Sequence, residues 1–277
     1  MSIEIRKIIK VGKQSSAIVM PSKWIKQLGL NTGDRVKLVY DGSRIIITPI
    51  KEGEFLGGQV MIEGSDNVAF AKLIAAFMEG VASIKLKSEY EDAIRLLNDL
   101  KKEIPSIVFV ARPDTEYHTI IFPDVGVDHN DLLVKLCEVF KKIIRNDGDP
   151  RFLLSDFNYT YLLLMRLLKI KYYENGLNVP EALDTVLFAN TLNEIIKLII
   201  HKRFEISEEL QEAVSVLVDQ LHSSDLDTAI KIASNTIVKA NKYPAEIQRH
   251  ILTLVELVFR RCIRDKACRC KHFFPKV

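Results

Sequence analysis

The stretch IEIRKIIKVGKQSSAIVMPSKWIKQLGLNTGDRVKLVYDGSRIIITP, residues 3–49, decides the fold of the amino-terminal part of this chain. Alternation at Ile3, Glu4, Ile5 and Arg6, a turn at Gly12 and a return through Ala17, Ile18, Val19 and Met20 predict a β-hairpin arm. Pro21 and Ser22 open a short helix through Trp24, Ile25 and Leu28, and Gly29 closes it. Asn31, Thr32, Gly33 and Asp34 make a turn. A second arm alternates at Val36, Leu38 and Tyr40, turns at Asp41-Gly42 and returns through Ile45 and Ile47.

Four short strands and one short helix bury too little apolar surface to stand alone. The stretch therefore needs a second copy, and an interleaved homodimer through the hairpins is expected, with two first-arm loops side by side. Trp24 shares the apolar side of the helix with Leu28, which assigns it to the core rather than to stacking on a base.

Charge is distributed unevenly. Residues 1–50 hold nine Lys and Arg (Arg6, Lys7, Lys10, Lys13, Lys23, Lys26, Arg35, Lys37, Arg44) against Glu4, Asp34 and Asp41, a net +6. The whole chain is only +3, so the remainder is −3. A basic small domain on a mildly acidic body is the electrostatic footprint of a nucleic-acid binder, and pairing two copies doubles the field.

The pattern R-K-x(4)-G-K, V-M-P, Trp24, L-G-L-x-x-G-D-x-V and I-x-I-x-P over residues 3–50 resembles the AbrB/SpoVT/MazE family of swapped-hairpin DNA-binding domains. The resemblance implies contacts to double-stranded DNA from basic residues of the first arm, its loop and the helix. The matching positions are Arg6, Lys7, Lys13 and Lys26. Lys10 lies on the same arm, and the loop hydroxyls of Ser15 and Ser16 are placed to meet phosphate.

Composition bounds the rest. A chain of 277 residues with 48% hydrophobic residues is long enough for two or three domains and a substantial core. Charges at Glu4, Arg6 and Lys7 argue against a signal peptide. The most apolar runs are broken by Arg166 and Lys197, so no membrane insertion is expected and the chain reads as cytoplasmic. Four cysteines do not make a secreted disulfide framework.

The expected class is α+β, in three parts: a swapped-hairpin domain at 1–50, a small α/β connector at 51–127 and an all-α bundle of two three-helix units at 128–277. In the connector, helices are expected from Asp66 or Asn67 to Gly80 and from Ser88, with strands at 83–88, 107–110 and 119–122. His118 stands beside a strand with no second ligand in sequence and reads as structural. Six helices follow, opened near Asp128, Pro150, Pro180, Ser207, Asp225 and Pro244.

Residues 128–265 resemble the PhoU family of helical phosphate-signalling proteins, most clearly in DHNDLLVKLCEVFKKIIRNDGDP and RFLLSDFNYTYLLLMRLLK. The combination is similar to a set of archaeal regulators. The resemblance implies metal-holding carboxylates on the third helix of each repeat. This chain departs from that pattern: Lys197 follows Glu194, and Arg260 follows Glu256. Glu256 and Arg260 read instead as an i,i+4 ion pair. Cys262, Cys268, Cys270 and His272 give C-x(5)-C-x-C-x-H, whose ligand types suit zinc, with Cys268, Cys270 and His272 as the metal candidates. The alternative is reduced thiols at a frayed end, with Cys262 turned into the bundle.

No nucleophile–base pair, dinucleotide fingerprint or phosphate-binding loop is visible, so neither catalysis nor a cofactor is expected. The leading reading is a dimeric DNA-binding transcription regulator with a sensing or oligomerising body. A signalling adaptor for a transporter or kinase, and an antitoxin-like protein, stand as alternatives.

Overall fold

The structure is a computed structural model that describes residues 4–11, 15–34, 36–40, 45–49, 60–123, 126–173, 179–202, 206–222 and 225–270. The class is α+β, as expected. The chain divides into two compact units, Met1–Phe55 and Leu56–Val277.

In the first unit, β1 (Ile8–Val11) pairs antiparallel with β2 (Ser15–Ile18), and β3 (Val36–Tyr40) pairs antiparallel with β4 (Ile45–Pro49). Helix α1 (Ser22–Gln27) lies between the two hairpins in sequence. The first arm starts later than its alternation suggests. Glu4, Ile5 and Arg6 are not in a strand, because β2 ends at Ile18 and offers them no ladder partner. Gly29 at φ +69° and Gly33 at φ +99° take the left-handed backbone that follows the helix and closes the next turn. In that turn the Asp34 N–H donates to Asn31 O at 3.1 Å and the Asn31 N–H to Asp34 Oδ2 at 2.7 Å.

The second unit starts with a two-layer α/β element. Its strands are β5 (Val60–Glu63), β6 (Ser83–Lys87), β7 (Val108–Val110) and β8 (Tyr117–Ile121), in sheet order β5-β6-β8-β7. β5 and β6 are parallel, joined across α2 (Asn67–Met78); the other pairs are antiparallel. β5 is absent from the sequence-based expectation. Its four residues carry one inward side chain, Ile62, and no alternation strong enough to show it. Asp66 caps α2, accepting from the Ala69 N–H at 2.8 Å, and α3 (Tyr90–Glu103) begins two residues after Ser88.

Six further α-helices are described: α4 (His129–Ile144), α5 (Pro150–Tyr173), α6 (Val179–Lys202), α7 (Glu208–Asp219), α8 (Leu226–Ala240) and α9 (Ala245–Cys270). α4, α5 and α6 pack on one another, and so do α7, α8 and α9. The two triplets join through α6 on α9 and α4 on α7. This is the expected pair of three-helix units. The buried side chains of α2, α3 and the sheet (Leu73, Phe77, Ile84, Leu86, Leu97) are continuous with those of the helices (Leu133, Phe140, Phe157, Phe188, Leu254), so the second unit has one core.

Asp128 caps α4, accepting from the Asn130 N–H at 2.8 Å and from Lys171 Nζ of α5 at 2.5 Å. The Lys171 hydrogen bond, then the Asn130 N–H, hold its carboxyl down at about 2. A carboxyl lowered in the folded state stabilises above its unfolded pKa and loses that contribution as pH falls through the folded value. The window here is about pH 4 to 2. Because the side chain is 46% exposed, screening keeps the contribution below about 1 kcal/mol. Asp128→Asn keeps a cap acceptor but not the charge. Its stability deficit, measured by urea unfolding, is expected at pH 6 and to be largely lost by pH 2; an equal deficit at both would overturn the assignment.

Candidate nucleic-acid interface

The register of the first hairpin decides which side chains share a face. Lys10 stands opposite Ser16 and Ile8 opposite Ile18; Val11 stands opposite Ser15 and Ile9 opposite Ala17. One face therefore carries Lys10 and Ser16, flanked by Ile8 and Ile18. The other carries Ile9, Val11, Ala17 and Ser15. Ser15, a candidate phosphate contact, is on the face opposite Lys10, and Ser16 is the hydroxyl that accompanies Lys10. Sequence could not separate the two serines, because a one-residue change of register exchanges the faces.

Arg6, Lys7 and Lys10 are exposed, and Arg6 is ion-paired with Glu4. Such an exposed pair is weak enough for a phosphate to displace Glu4. Lys23 and Lys26 are exposed on α1, with Lys26 in its last turn, while Trp24 and Ile25 are half-buried. Trp24, expected in the core, is only partly covered, and no residue of α1 is buried. Lys13 lies outside the described residues, as do Arg35 and Arg44.

Burial is as informative as charge. Among residues 4–11, 15–34, 36, 45 and 47 of the first unit, none is buried. Ile5, Ile8, Ile9, Val11, Ile18, Val19, Leu28, Val36 and Ile45 are exposed, from 39% at Val36 to 97% at Ile5. A basic, two-hairpin unit thus exposes more contiguous apolar surface than a lone soluble domain commonly does.

Among the described residues, no group of three His, Cys, Asp or Glu side chains is placed to hold a metal ion. The side chains of Cys268 and Cys270, and all of His272, lie outside the described residues. Cys262 is buried in α9, as read from the sequence. Burial pushes the Cys137 thiol up to about 12, which leaves it protonated and inert at neutral pH. His118 is fully buried and structural: Nε2 donates to Ser88 O at 3.0 Å and Nδ1 accepts from the Arg112 N–H at 3.4 Å. Glu256 and Arg260 form the expected ion pair at 2.6 Å, and Lys197 pairs with Glu194 at 2.8 Å. Asp184 of α6 receives Arg260 and Arg264 of α9. These carboxylates are engaged by cations rather than grouped for a metal. No described helix is long and apolar enough to cross a membrane.

A family model described as antidote-toxin recognition MazE, bacterial antitoxin, matches residues 9–55. The match begins at the first strand and ends where the first compact unit ends. No curated protein and no solved structure matches the chain.

Proposed function

We propose that the chain is a homodimeric DNA-binding regulator in which two copies of the first unit interleave and present their basic face to DNA phosphates. The observation that carries this reading is the open apolar surface of Ile5, Ile8, Ile9, Val11, Ile18 and Val19 within residues 1–50, a segment of net charge +6. Pairing covers the apolar face of Ile9, Val11 and Ala17. It leaves Lys10 and Ser16 outward, with Arg6, Lys7 and Lys26 as further phosphate contacts and Lys13 in the loop. Phosphate contacts supply most of the affinity.

The body is non-catalytic in this reading. By its resemblance to PhoU proteins alone, the body takes a sensing or oligomerising role. The match to an antitoxin family favours a second reading, in which the first unit pairs with DNA while a protein toxin is the body's partner.

DNA affinity against salt, read by fluorescence anisotropy, tests the proposal. Arg6→Ala, Lys7→Ala and Lys10→Ala together remove six cations from a dimer. The slope of log affinity against log salt is expected to flatten by up to about 5, with affinity falling about 100-fold or more at moderate salt. If wild type fails to bind duplex DNA even at low salt, the regulator reading falls. Co-purification with a small toxin would then favour the second reading.

A further inference from the structure

The four-stranded sheet has one covered face and one bare face. Ile62, Ile84, Leu86, His118 and Ile120 point to the helices and are buried. The bare face carries apolar side chains at both edges: Val108 and Val110 on β7, exposed 51% and 46%, and Met61 on β5, exposed 56%. The register aligns them in rows, the central one running Val110, Thr119, Lys85, Met61.

We propose that this face packs against its own copy within the dimer, about a two-fold axis parallel to the strands. This inference rests on the dimer reading above. Turning the sheet over about that axis reverses the strand order and keeps the strand direction. Val110 then meets Met61 of the second copy, and Lys85 meets Thr119. Apolar lies on apolar, and each lysine lies over a hydroxyl. An axis across the strands would instead set Lys85 over the second copy's lysine, which like-charge repulsion disfavours. The face is thus self-complementary in one of its two symmetric arrangements, as an isologous interface requires.

Size explains why the second copy must come from the same dimer. Four strands about 4.8 Å apart and three to five residues long cover about 300 Å² per copy, or about 600 Å² for the pair. An independent interface buries about 1,200 Å² or more. The face is too small to associate from dilute solution. β4 ends at Pro49 and β5 begins at Val60, a separation along the chain of at most about 40 Å. Pairing of the hairpins therefore holds two sheets at an effective concentration on the order of millimolar, where a weak contact closes.

Full-length protein tests this, in a background of Cys268→Ser and Cys270→Ser. Thr119→Cys, at the centre of the face, is treated with a short bis-maleimide. Lys101→Cys, on exposed α3, is the tethered control. Chemical cross-linking into a covalent dimer is expected to be at least about tenfold faster for the Thr119 variant, in keeping with millimolar local concentration. Adding Val110→Asp is expected to abolish that difference while native mass stays dimeric, because the hairpins hold the copies together. Equal rates at the two positions in a native dimer would overturn the proposal, as would an unchanged rate with Val110→Asp. A monomeric native mass would instead overturn the dimer reading beneath it. Thermal unfolding of each variant confirms that the fold is kept.

Discussion

Ile9→Asp with Val11→Asp is expected to convert the native dimer to a monomer and to abolish measurable DNA binding at moderate salt. Both side chains lie on the face of the first hairpin opposite Lys10, about half exposed at 45% and 52%. In an interleaved dimer they become core. Burying such a side chain fully is worth about 1.5–3 kcal/mol. Two residues in each of two copies, already half covered, give a loss of about 3–6 kcal/mol, or on the order of 100- to 10,000-fold in the dimer dissociation constant. Desolvating the new carboxylates adds to it. Sedimentation equilibrium over a concentration series reads the change directly, and the sheet face is too small to hold the copies alone. DNA binding falls with the dimer because each copy brings half of the cations. A double variant that remains dimeric at wild-type concentrations would place the interface elsewhere and sink the interleaved arrangement.

The second large effect lies in the core of the second unit. Arg166 of α5 is only 4% exposed. Its Nη1 donates to Phe77 O and Val81 O, each at 2.9 Å, and its Nη2 to Phe122 O at 3.4 Å. Those carbonyls belong to the end of α2, the turn after it and the residue after β8. The guanidinium also lies 5.0 Å from the Phe77 ring centroid and 5.6 Å from that of Phe122, rings that meet edge to face. One side chain thus closes a helix end and ties the sheet layer to α5.

Arg166→Met keeps much of the volume but takes the donor from Val81 O and Phe122 O, each worth about 1–3 kcal/mol when left unmade, while Phe77 O keeps the Gly80 N–H at 3.1 Å. Relief from burying a charge offsets part of this. The net loss is expected at about 4 kcal/mol, or a fall in melting temperature on the order of 10 °C for a unit of this size. Arg166→Lys is expected to fall between, because a point ammonium cannot reproduce the planar fork or the stacking. Urea unfolding of the three proteins measures the order. A methionine variant within about 1 kcal/mol of wild type would show that the carbonyls find other partners.

Much of the fold was legible locally. Caps at Asp66, Asp128 and Asp225, stops at Gly29 and Gly80 and helical apolar spacing mark where elements begin and end, because those signals act within one or two turns. The basic first arm, the inward Cys262 and the Glu256–Arg260 pair were legible for the same reason. The lysines of the candidate interface were visible as charge, but not their faces.

What sequence alone determined about this protein is therefore its class, its run of helices and the charge contrast between its ends. Tertiary structure decided the rest. β5 exists because β6 lies beside it across α2, a pairing no four-residue pattern announces. Ser16, not Ser15, joins Lys10, because register is a property of two strands together. Arg166 reads in sequence as a charge that breaks an apolar run. Its role comes from carbonyls 44, 85 and 89 residues away, brought to it only when the sheet layer and the helices close around one core.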